Sequence, residues 1–202
     1  MIEKLKSILG KEYVIKEEQL GVEVYHVTNY GVNQETYIKI KKYINTWTLY
    51  EVQRGESFEI CEFENYNTAI CGVYILSKKI FEHPKGNTLI RRELSKCNEY
   101  NSDMIIQILE KEFNEKLFSL GNLKRGAIIL ESVNGFYDIN YCGVNNEKIN
   151  IVSRRTFSNA VIVFYNYILL LFEFENLIKY IAAIIQLPKE IEEKLKYCYL
   201  GK

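Results

Sequence analysis

Thr46-Trp47-Thr48-Leu49-Tyr50-Glu51-Val52-Gln53-Arg54-Gly55-Glu56-Ser57-Phe58-Glu59-Ile60-Cys61, together with the later run Phe136-Tyr137-Asp138-Ile139-Asn140-Tyr141-Cys142, decides how this chain is read. In the first run two β-rich segments flank a short loop containing Gly55, the spacing of a β-hairpin. Trp47 and Leu49 fall on one face of it because strand side chains alternate. From Asn67 onward the apolar period lengthens to that of a helix, with Ala69, Ile70, Val73, Tyr74, Leu76, Ile80 and Phe81 in one broad stripe. The same order recurs. Trp47, Tyr50, Val52, Phe58, Ile60, Tyr66, Ala69, Tyr74 and Phe81 align with Phe136, Ile139, Tyr141, Ile149, Ile151, Phe157, Ala160, Tyr165 and Phe172. The offset is 89 before the turn and 91 after it, since the second turn, at Gly143-Val144-Asn145-Asn146, is two residues longer.

Outward from these two runs, residues 2–9 predict a short amphipathic helix stopped by Gly10, which tolerates the left-handed backbone that ends helices. Residues 13–17, 22–28 and 36–42 read as strands with a turn at Tyr30-Gly31-Val32-Asn33, and 127–133, 136–142 and 148–153 as three more. Asn65 or Asn67 caps the first long helix, and Ser158 opens the second. Helices are also expected over 89–97, over 103–113 with Ser102 or Asp103 as cap, and over 189–199 after Pro188, with Gly121 closing the middle helical region. His83-Pro84-Lys85-Gly86-Asn87 breaks the chain into units 1–87 and 88–202. The expected fold class is α+β: two related units, each an antiparallel sheet followed by a long helix packed on one face, joined by a helical linker region, with an extra C-terminal helix. The helix after Ser158 is apolar all round over its first half and should be covered on every side. Its counterpart carries Ser77, Lys78 and Lys79 and should be partly exposed.

The chain has 202 residues, 48% of them hydrophobic, enough to bury a core. Lys+Arg and Asp+Glu both number 26, so no overall positive field draws it to nucleic acid directly or to an anionic membrane. Five cysteines, Cys61, Cys71, Cys97, Cys142 and Cys198, show no C-x-x-C spacing and read as reduced thiols of a cytoplasmic protein. The first residues lack the apolar core of a signal peptide. The most apolar stretch, 160–172, is shorter than the ~20 residues of a bilayer span, and Glu173 and Glu175 follow it.

The residues offer little handle for catalysis. His26 lies in a strand and His83 beside a proline, neither in a zinc spacing, and no glycine-rich phosphate loop is present. No catalytic, cofactor-binding or metal-ligating residue is identified, and no cofactor is expected. The basic pairs, Arg154-Arg155 among them, are scattered. The hairpin, by contrast, is acidic: Glu51, Glu56, Glu59, Glu62 and Glu64 stand against the single cation Arg54, with Tyr50 and Tyr66 as aromatic neighbours. Alternation breaks around Cys61-Glu62-Phe63, which predicts a bulge. Two readings stay open: a charged sheet edge guarded against aggregation, or a docking patch for a basic protein.

The run Trp47 to Glu56, followed by Phe63, Tyr66, Ala69 and a helix with Tyr74, resembles a pattern in small cytoplasmic immunity proteins of bacterial polymorphic toxin systems. There, a tryptophan strand and an R-G turn lead into a second strand and a helix opened by an aromatic and an alanine. The likeness covers residues 46 to 82, and more faintly 135 to 173, where Phe136 stands for the tryptophan and the R-G turn is missing. It implies neutralisation of a cognate protein toxin by direct contact, without catalysis or cofactor. Tyr50, Glu51, Arg54, Glu56, Glu59, Glu62, Glu64 and Tyr66 would be the partner-binding residues, and a basic nuclease-type toxin would complement the acids. Two other readings of the residues stand beside it. One is a cytoplasmic enzyme using Cys142 or a carboxylate pair; the other is a structural or adaptor subunit of a homo-oligomer. Monomer and dimer are both open.

Overall fold

The computed structural model describes residues 1–201 and is mixed α+β. In chain order it runs α1 (Ile2–Leu9), β1 (Tyr13–Glu18), β2 (Gly21–Thr28), β3 (Gly31–Tyr43), β4 (Thr46–Gln53), β5 (Glu56–Phe63), α2 (Tyr66–Ser77), α3 (Thr88–Leu94), α4 (Ser102–Leu109), β6 (Phe118–Leu120), β7 (Ala127–Val133), β8 (Phe136–Cys142), β9 (Lys148–Arg155), α5 (Phe157–Ala182) and α6 (Lys189–Leu200). Strands β1 to β5 form one antiparallel sheet in sequence order, and β6 to β9 a second sheet. A long helix follows each.

The chain divides into two compact units, Met1–His83 with Leu177–Lys202, and Pro84–Asn176. The sequence reading grouped 88–202 together; here α6 and the end of α5 lie with the first unit. The physical cause is α2. Gly72 presents no side chain, so Leu49 and Phe63 of the sheet approach until an added Cβ would sit 3.1 and 3.0 Å from them. On its other sides α2 meets α1, and α6 through Leu195, Cys198 and Tyr199. Ile181 near the end of α5 joins Leu5, Ile70 and Tyr74 around a small apolar pit. Every residue from Thr68 to Ser77 is buried.

That reverses the expected burial of the two long helices. In α5, Val161, Phe164, Tyr165, Ile168, Leu169, Leu171 and Phe174 are buried, whereas Ile162, Val163, Tyr167, Leu170 and Phe172 are half-exposed. Coverage follows which elements pack on a helix, and the small residues of α2 admit more neighbours than the bulky ones of α5. The helix is also longer than the apolar stretch suggested: its 26 residues are long and apolar enough, by length and composition alone, to cross a membrane.

The second unit departs from a purely antiparallel sheet. Phe118–Leu120 pairs parallel to Ile128–Leu130, a strand too short to show alternation in the sequence. Helix α4 stops at Leu109, so Gly121, at φ 75°, turns the chain after β6 and does not close a helix. Asn101, rather than Ser102 or Asp103, occupies the N-cap of α4. Within this unit Tyr165 ties α5 to the loop before α3: its hydroxyl accepts from the Asn87 backbone N–H at 2.6 Å and donates to the Glu112 carboxylate at 2.9 Å. Arg91 lies over the same ring and donates to Asn166 at 2.8 Å.

Two stability outcomes follow from these contacts. Gly72→Val forces its new methyls into Leu49 and Phe63, 0% and 2% exposed, and lowers unfolding free energy by about 2 kcal/mol in chemical denaturation. Tyr165→Phe leaves the Asn87 N–H and the Glu112 carboxylate each short of one partner and costs about 1 kcal/mol in the same assay.

Candidate functional site

The acidic hairpin is built by register. Ile40, Leu49 and Cys61 form one cross-strand row and Ile38, Glu51 and Phe58 another, both on the face that carries the buried Ile38, Ile40 and Leu49 toward α2. Lys41, Thr48 and Glu62, and next to them Lys39, Tyr50 and Glu59, occupy the opposite face. Pairing slips between Leu49 and Tyr50, where Ile60 is the extra residue of β5. The predicted bulge therefore exists, two residues before its expected centre. It has a defined effect: Glu59 and Glu62, three apart in sequence, come to share one face.

The sequence-derived residues consequently do not form one flat patch. Tyr50, Glu59 and Glu62 stand on the outer face, where the Lys39 ammonium lies 5.3 Å from the Tyr50 ring centre and donates to Ser57 at 2.9 Å. Burial, and then hydrogen bonding with Tyr43, pushes the Tyr50 phenol up. Glu51 lies on the helix side and accepts a short hydrogen bond from Gln53. Arg54 and Glu56 mark the corner of the sheet, and Glu64 is exposed beyond the end of β5. Tyr66 opens α2 at the far end of the hairpin, its ring 4.7 Å from Trp47, while Asn65 caps the helix by accepting from the Asn67 N–H at 2.8 Å.

At the corner, Glu35, Thr36, Gln53, Arg54, Glu56 and Phe58 line an open depression. Phe58 is 47% exposed there, an aromatic beside three charged side chains. Glu35 and Phe58 were not among the sequence candidates. Phe58 reads as an ordinary apolar strand position, and Glu35 reaches the site only because Thr36 pairs with Gln53 and the Arg54 N–H donates to the Glu35 carbonyl at 2.6 Å. Arg54 and Gly55 have φ of 50° and 85°, the two successive positive values of a type I′ turn. For arginine this conformation is strained, because its Cβ crowds the following carbonyl.

The other sequence candidates are placed as follows. Cys142 is fully buried in β8, and burial pushes its thiol up. His26 stacks on Phe81 at 5.3 Å between the ring centres. The Arg154 N–H donates to Asp138 at 2.8 Å, with its guanidinium over Phe136. The aromatic that meets the first residue of α5 is Tyr137, 5.2 Å from Phe157, so the position of Trp47 is taken by Tyr137 and not by Phe136. Among the described residues no group of three or more His, Cys, Asp or Glu is arranged to hold a metal ion. Comparison with protein-family models, with characterised proteins and with solved structures finds no match to this chain.

Arg54→Asn relieves the strained arginine with a residue that accepts a positive φ, and raises thermal unfolding stability by about 1 kcal/mol. A scanning calorimeter checks the sign.

Proposed function

We propose that this chain is a cytoplasmic binding protein that neutralises a cognate toxin by direct contact, in the manner of the immunity proteins its hairpin resembles. The observation that carries the reading is the sheet corner, where an exposed phenylalanine and a strained arginine are set among acids on both faces of one hairpin. Aromatic anchors ringed by charge are the composition of tight and selective interfaces. Acids divided between two faces suit a partner whose basic cleft takes in the corner from both sides better than one offering a flat surface. A nuclease-type toxin has such a cleft, and the acids would speed encounter and exclude wrong partners.

Strain at Arg54 supports the same reading. Backbone strain is retained where a function requires the residue, and the exposed guanidinium at the turn is free to order acidic or carbonyl groups of a partner.

The test is expression of the product of the adjacent gene in cells with and without this chain. Growth only in its presence is the expected result, and growth regardless of it ends the toxin reading. With the toxin in hand, Glu56→Lys, Glu59→Lys and Glu62→Lys combined weaken binding about 10–100-fold, chiefly through slower association, with circular dichroism unchanged. Unchanged affinity moves the interface off this hairpin.

A further inference from the structure

Cys61 and Cys198 meet where α6 covers the edge strand β5. Cys61 is the cross-strand partner of Leu49 on the helix-side face. Cys198 lines a small apolar cavity with that same Leu49, Gly72 and Leu195. The two thiols lie near enough to perturb each other's ionisation. They differ in access: Cys61 is partly exposed, whereas Cys198 is 6% exposed. Lys194, one turn before Cys198 on α6, holds its ammonium 5.5 Å from the Phe63 ring centre and places positive charge beside Cys61.

These surroundings divide the roles of the two sulfurs. The neighbouring Cys198 thiol, and with it Lys194, pushes the Cys61 thiol down, against the opposing effects of burial and of Glu62. Interaction with Cys61, together with burial, pushes Cys198 up. A partly exposed thiol in an electropositive setting, with a second thiol in contact, is the arrangement of an attacking and a resolving cysteine. Burial instead pushes up Cys71, Cys97 and Cys142.

We propose that Cys61 and Cys198 close into a reversible disulfide that staples α6 to the edge strand of the five-stranded sheet. With a peroxide as oxidant, the Cys61 thiolate attacks one peroxide oxygen, the O–O bond breaks and hydroxide leaves, giving a sulfenic acid. The Cys198 sulfur then attacks the Cys61 sulfur, the S–O bond breaks, and water leaves with the Cys198 proton. The hydroxide takes up the proton that Cys61 had released, so two thiols lose two electrons and hydrogen peroxide becomes two waters. A dithiol reductant reverses the bond by thiol–disulfide exchange. The sulfurs must close to ~2 Å, the length of a disulfide bond. Once formed, the bond holds the C-terminal helix on the strand that carries Glu59 and Glu62.

The experiment treats the folded full chain with hydrogen peroxide and maps cysteine linkages by non-reducing peptide mass spectrometry, an assay that needs no partner. The expected product is a single Cys61–Cys198 crosslink, with loss of two of the five thiols and recovery of both on adding dithiothreitol. Cys198→Ser stops the reaction at a trappable sulfenic acid on Cys61, and Cys71→Ser changes nothing. Separate oxidation of Cys61 and Cys198, or a link formed only after denaturation, overturns the proposal. The mapping on the unaltered chain decides the matter even where a cysteine variant fails to fold.

Discussion

The approach of Gly72 to Leu49 and Phe63 is the contact on which the first unit depends. It seats α2 against β4 and β5, and a helix lying that close leaves its remaining sides to be covered by something else. Helices α1 and α6 do this, along with Ile181 at the end of α5. Each fully buried aliphatic side chain in that assembly contributes roughly 1.5–3 kcal/mol of transfer free energy, so uncovering α2 on one side would forfeit several such terms. The return of the C-terminal segment to the first unit is thus a requirement of burial rather than an accident of chain path.

The same packing fixes what the hairpin shows to solvent. Leu49 must face α2, and its cross-strand partner Cys61 is committed to that face as well. Without the extra residue Ile60, Glu59 would share the face of Cys61 and point toward the helices. The bulge resolves the conflict by resetting alternation, leaving Glu59 and Glu62 outside and Cys61 inside beside Cys198. One irregularity in β5 therefore produces both the acidic outer row and the thiol pair.

The sequence made the α+β class and the two hairpin–helix runs legible, because period two and period 3.6 are written in residues such as Trp47, Leu49, Ala69 and Val73. What escaped it depends on tertiary neighbours. Burial of α2 over α5 could not be read, since apolar count says nothing of which elements will cover a helix and Ser77, taken as a polar mark, is fully buried. The strand at Phe118–Leu120 is too short to declare itself, and its parallel pairing follows from the register with β7 alone. Among site residues, the acids and Arg54 stood out by charge. Glu35 and Phe58 did not, because membership of the corner is set by strand pairing and exposure.

The chain itself supplies the comparison that makes Arg54 informative. The turn between β7 and β8 has the same two positive φ values, at Asn134 and Gly135, with 51° and 79°. There the sequence is Asn-Gly, the pair that fits this turn best. At the corner of the five-stranded sheet the same backbone is built with arginine in place of asparagine, although asparagine serves the geometry a few strands away. A hairpin alone favours Asn-Gly, so the turn's own preference does not account for Arg54, which stands exposed beside Glu35, Glu56 and Phe58.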